Sequence, residues 1–138
     1  MFLGMLDRYQ QDAFMALAMR LVLSDGTIHP VEKTLLKIRT AEMGSGVAIP
    51  PLELVDMPNL GLFNTRASRV IVMLELYVLA YSDKFLCGSE VPILDELAEV
   101  FSFKEADLVP LRAWAQGQTP FSLRGWNLIH VDQQIPLD

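Results

Sequence analysis

Displacing the chain by 58 residues lays one half of it over the other. Met15 falls on Met73, Leu21 on Leu79, Ser24 on Ser82, Asp25 on Asp83, Glu32 on Glu90 and Leu36 on Leu94. Ile28 falls on Leu86 and Leu35 on Ile93, which keeps the apolar character. A repeat of this length is one supersecondary unit that cannot bury its apolar face alone and needs its copy to do so. Each copy reads as an apolar helix, a Ser-Asp turn, and a second helix with a glutamate in its first turn. The expected fold class is all-α: a compact helical bundle with an internal duplication of a helix–acidic turn–helix unit, its two hairpins packed about a pseudo-twofold axis. Strands are not expected, because period-two alternation with turn-forming pairs is absent.

The 138 residues fit one domain over 1–138, with repeat halves at about 5–44 and 63–103 and a C-terminal helix and tail over 103–138. Tyr9, Ala13, Ala16, Leu17, Met19 and Leu23 have the spacing of an amphipathic helix over about 3–23. Ser24-Asp25-Gly26 stops it, and Pro30 with Glu32 opens a second helix whose inner stripe is Val31, Leu35 and Ile38. Gly44 and Gly46 end that helix. Residues 45–62 carry Pro50, Pro51 and Pro58 and read as a linker holding at most a short helix over 51–55. Asn64 or Thr65 can cap a third helix running to Tyr81, whose nearly continuous apolar positions make it the central buried one. After a turn over 82–89, Val91, Leu94, Leu97, Ala98 and Phe101 form the stripe of a fourth. Ser102-Phe103-Lys104-Glu105 reads as a capping box for a fifth, which Pro110 should kink or divide. The tail is expected to pack back through Phe121, Leu123 and Trp126.

Composition narrows the function. Hydrophobic residues make up 51% and charged residues 20%, enough for a sizeable core and unlike a disordered chain. A net charge of −6 repels phosphate backbones, so no nucleic-acid partner is expected, and cations or basic protein surfaces suit the chain better. One cysteine, Cys87, forbids an internal disulfide and suits a cytoplasmic location. The apolar runs at 14–23 and 70–81 are broken by Arg20 and Glu75 and fall short of the roughly 20 residues that span a bilayer, so no integral membrane segment is expected.

The repeat places four carboxylates, Asp25, Glu32, Asp83 and Glu90, in two equivalent turns with the same seven-residue spacing. Two chemistries fit them. A first-turn glutamate complements the helix dipole for about 0.3–1 kcal/mol, and an aspartate beyond a helix end accepts turn N–H groups. Alternatively, hard oxygens bracketing a turn are ligands for a divalent cation, Ca²⁺ or Mg²⁺ rather than Zn²⁺. The loop is not an EF-hand, since it lacks oxygen ligands at alternate positions and the terminal bidentate glutamate.

The stretch Ala18-Met19-Arg20-Leu21-Val22-Leu23-Ser24-Asp25-Gly26-Thr27-Ile28-His29-Pro30-Val31-Glu32 resembles the signature of the TerB-like tellurite-resistance family, and Tyr81 to Glu90 is similar to that family's weaker second half. The N-terminal helical domain of DjlA-type co-chaperones shares the pattern. The resemblance covers roughly residues 5–103. It implies an all-α, cytoplasmic, non-enzymatic stress-response module, with an acidic cluster for metal or partner binding that carries over to Asp25, Glu32, Asp83 and Glu90. Two positions depart from the pattern: Ser24 stands where alanine is commoner, and Lys84 replaces the second glycine. The partners so implied are proteins, and a homo-oligomer is compatible with the sequence. The alternative is a metal-free helical adaptor for protein–protein interaction.

Other residues have a bland reading and a sharp one. His29 and Cys87 occupy equivalent repeat positions and suit a softer metal, but one of each does not complete a zinc site. Glu75 in the most apolar helix is either a functional buried carboxylate or half of an ion pair, with Arg20 a candidate partner. Asp95, Glu96 and Glu99 make an acidic outer face on the fourth helix. The seven methionines suit core gaps or an adaptable partner face. No nucleophile elbow or phosphate-cradling glycine loop is present, so catalysis is not expected.

Overall fold

The computed structural model describes residues 2–24, 30–44, 58–81 and 90–118, with the backbone alone at 30–33 and 35. Among them the chain is all-α and contains no strand. The helices are α1 (Arg8–Val22), α2 (Pro30–Met43), α3 (Arg66–Tyr81), α4 (Glu90–Val100) and α5 (Glu105–Gly117), with 3₁₀ turns at Leu3–Met5 and Leu60–Leu62.

The first helix begins later than its apolar spacing suggests, and Asp7 is the reason. Its Oδ1 accepts from the Gln10 N–H at 2.8 Å while Gln10 Oε1 accepts from the Asp7 N–H at 3.0 Å. This reciprocal box fixes the start at Arg8 and leaves Leu3–Met5 as a separate turn. Tyr9, expected on the inner stripe, is 73% exposed, whereas Gln10, Ala13, Phe14, Leu17, Ala18 and Leu21 face inward.

Gly44 ends α2 with φ +100, a conformation that favours glycine. Of the expected inner stripe of α2, Val31 and Leu35 lie outside the residues whose side chains are described; Ile38 is 53% exposed, and Leu36, Arg39 and Met43 are buried. A buried arginine disguises the stripe as a polar face.

Thr65 caps α3: its Oγ1 accepts from the Ser68 N–H at 3.1 Å. From Ile71 to Tyr81 every residue of α3 except the half-buried Leu74 is buried, so this is the central helix that its apolar run suggests. It packs most extensively on α5 and next on α1.

Leu94, Leu97, Ala98 and Phe101 form the inner face of α4 and its end, while Val91 lies at the border of exposure. Ser102 does not cap α5. It takes φ +63 and ends α4, where the Phe103 N–H donates to Ala98 O at 2.8 Å. The cap of α5 comes from Asp107, whose Oδ2 accepts from the Lys104 N–H at 2.9 Å. Pro110 does not divide α5, which runs continuously from Glu105 to Gly117. Pro110 and Ala106 both lie on the exposed side. Proline at 110 removes the N–H that would bond the Ala106 carbonyl, a loss that a helix tolerates better on an exposed side than in the core.

Element bounds recur at the 58-residue offset. Residues 8–22 shift onto 66–80, against α3 at Arg66–Tyr81, and residues 30–43 onto 88–101, against α4 at Glu90–Val100. Met15 and Met73, Leu21 and Leu79, and Leu36 and Leu94 are all buried. The expected linker helix at 51–55, the turn at 82–89 and the tail residues Phe121, Leu123 and Trp126 lie outside the described residues.

Candidate functional site

Two of the four repeat carboxylates, Asp25 and Asp83, lie outside the described residues, as do His29 and Cys87. Glu32 stands on the first turn of α2, with only its backbone described. Glu90 is the first residue of α4 and is 2% exposed. A carboxylate at that position lies against the positive end of the helix dipole. Burying it removes the screening by water that an exposed first-turn glutamate enjoys. No group of three or more His, Cys, Asp or Glu suited to a metal occurs among the described residues.

The polar cluster that the structure does assemble is elsewhere, between α2, α3 and the segment preceding α1. Glu75 is 1% exposed, and its Oε1 accepts from Arg39 Nη2 at 3.0 Å. The partner is thus Arg39 on α2 rather than Arg20 on α1. Burial in low dielectric makes such a pair strong only when its remaining oxygens are also satisfied. Here Glu75 Oε2 accepts from the Phe2 N–H at 2.9 Å. Farther along α2, Glu42 Oε2 accepts from the Leu3 N–H at 2.8 Å. The Leu3 carbonyl in turn accepts from Gln11 Nε2 at 3.0 Å. Side chains from three helices therefore read consecutive backbone groups of one short segment. Its side chains are held too: Leu3 is fully buried, Leu6 is 6% exposed, and the Phe2 ring lies 5.6 Å from that of Trp114 on α5.

Sequence reasoning missed Arg39, Glu42 and Gln11. The only available signal was that Leu36, Arg39 and Met43 keep the helical period once Arg39 is admitted as an inward position.

On the other side of α3, Tyr77 is buried, and Arg112 on α5 pairs with Glu105. Burial pushes the Tyr77 phenol up from its usual range, with Arg112 opposing the shift. Arg112 holds the Glu105 carboxyl below the usual carboxylate range. Asp107 is lowered first by the Lys104 N–H that it accepts and then by Arg66, 3.2 Å away. These groups join α5 to α3, and each has a structural partner. Asp95, Glu96 and Glu99 are exposed along α4, apart from the buried stripe.

Comparison of the chain with protein-family models, with curated proteins and with solved structures gave no match. Among the described residues, no helix is long and apolar enough to cross a membrane.

Proposed function

We propose that the chain is a non-enzymatic, TerB-like stress-response module whose two acidic turns, at Asp25/Glu32 and Asp83/Glu90, bind a divalent cation or a protein partner. The observation that carries the reading is the burial of Glu90 at the first position of α4, at the offset from Glu32 at which the helix bounds recur. A buried carboxylate seven residues beyond an aspartate is half of a hard-oxygen pair suited to Ca²⁺ or Mg²⁺. On this reading the two hairpins are a duplicated unit and their turns are equivalent ends of it.

A metal-free adaptor is the second reading. It is favoured by where the described carboxylates go: Asp7, Glu42, Glu75 and Asp107 each accept from a backbone N–H. Acids used in this way build corners rather than ion sites.

Calorimetric titration of the full chain with Ca²⁺, Mg²⁺, Mn²⁺ and Zn²⁺ separates the two. The cation reading expects saturable heat that Asp25→Ala and Asp83→Ala abolish without loss of helical content. A folded chain that gives no heat with any of the four ions leaves the adaptor.

A further inference from the structure

The described methionines divide sharply by exposure. Met15 and Met19 are 1% exposed, Met73 is fully buried and Met43 is 9% exposed, and all four belong to the apolar core. Met5 is 73% exposed and is no part of it. It ends the short turn Leu3–Met5 ahead of α1. The turn is fixed from below: Phe2 and Leu3 donate their N–H groups to Glu75 and Glu42, and Leu3 and Leu6 are buried on either side of Met5. The Met5 N–H donates to Phe2 O at 3.0 Å. The flank of the turn is open, since Gly4 is exposed and a methyl group there would meet no atom within 4 Å beyond its chain neighbours. A rigid backbone thus presents one thioether to water, while the other described ones are shut away.

We propose that Met5 is a site of reversible oxidation by hydroperoxides, a modification that alters the surface and leaves the fold intact. A lone pair on the thioether sulfur attacks one oxygen of hydrogen peroxide. The S–O bond forms as the O–O bond breaks, the sulfur is oxidised by two electrons, and the departing hydroxide takes up the transferred proton as water. Oxidation follows access to the sulfur. A sulfoxide is polar and chiral, so within a core it disrupts packing. At Met5 the new oxygen meets water, and none of the hydrogen bonds or apolar anchors that hold the turn uses the Met5 side chain. Reversal is the work of a methionine sulfoxide reductase, in which two thiols become a disulfide and the oxygen leaves as water. Such an enzyme has to enclose the side chain, and the open flank at Gly4 permits it. The inference does not depend on the acidic turns.

The full-length chain is treated with hydrogen peroxide, and the added oxygen is located over time by peptide mass spectrometry, with fragmentation separating Met5 from Met1. Met5 is expected to be fully oxidised while Met15, Met19 and Met73 remain reduced. Helical content and thermal midpoint should stay at the parent values in the protein oxidised at Met5. A methionine sulfoxide reductase with a dithiol should then restore the Met5 thioether in the folded chain. Oxidation of Met5 no faster than that of Met15 and Met73 overturns the proposal. So does loss of helix on oxidation of Met5 alone. A reductase that repairs Met5 in the digested peptide but not in the folded protein overturns the reversibility, and the proposal with it.

Discussion

Arg39 and Glu75 meet at 3.0 Å in the interior, and each stands where the other half of the sequence has leucine: Leu97 for Arg39 and Leu17 for Glu75. All four positions are buried. The ion pair thus occupies two positions whose counterparts at the 58-residue offset are hydrocarbon. Removing one partner strands a buried charge, so Arg39→Leu or Glu75→Leu should each cost about 3–5 kcal/mol. The double variant should cost less than either single one. It should still fall short of the parent by about 1–3 kcal/mol, because the Phe2 N–H loses its acceptor. Urea denaturation of the four proteins measures this. Additive single costs would show that the two side chains do not act as a pair.

Ser102 bears a backbone penalty that glycine would not. A non-glycine residue at φ +63 costs roughly 1–2 kcal/mol in the left-handed region, and no side-chain hydrogen bond of Ser102 offsets it among the described residues. Ser102→Gly should therefore stabilise the protein by about 0.5–1 kcal/mol after the extra freedom of the unfolded chain is counted. A rise in the thermal midpoint with unchanged helical content is the expected result.

Tyr77 makes the fold sensitive to alkali. Its phenol in the folded protein holds its proton above the ordinary value of 10.0. The stabilising contribution is complete below that value and is lost as pH rises through the folded one, since the unfolded chain ionises first. Tyr77→Phe should flatten the decline in stability above about pH 10. Denaturation series at several alkaline pH values test this.

Asp107 acts at the opposite end of the scale. Its carboxyl is lowered from 3.8, so its contribution is present above that value and fades as pH falls through the folded one. Asp107→Asn should make the acid limb of the stability profile shallower. Salt should weaken the Arg66 part of the effect more than the Lys104 N–H part, because the former is an exposed charge pair.

Helix positions are legible in the sequence where long apolar periods dominate, as in α3, and where a glycine or threonine marks an end, as at Gly44 and Thr65. Periodicity misplaces them where polar side chains are recruited inward. Gln10 and Gln11 on α1 and Arg39 on α2 are buried polar residues whose partners Leu62, Leu3 and Glu75 lie 52, 8 and 36 positions away. Periodicity treats such residues as solvent-facing, and so it rotates the apparent stripe toward Tyr9 and Ile38. The Arg39–Glu75 pair is half legible: Glu75 demands a cation, but choosing between Arg20 and Arg39 requires the packing of α2 on α3. Ser102 looks like a cap because serine is common at helix starts, whereas the chain needs a residue there that can turn left-handed. The acidic turns are legible only as a spacing, and two of their four residues, Asp25 and Asp83, lie outside the described residues.

Helix α3 has almost no surface of its own between Ile71 and Tyr81. A helix enclosed in this way cannot fray or tilt without opening its neighbours, so its amide protons can exchange with solvent only when the whole assembly comes apart. Their exchange rates would therefore serve as a thermometer of global stability, while α4 and α5, each with an open side, register the smaller local openings.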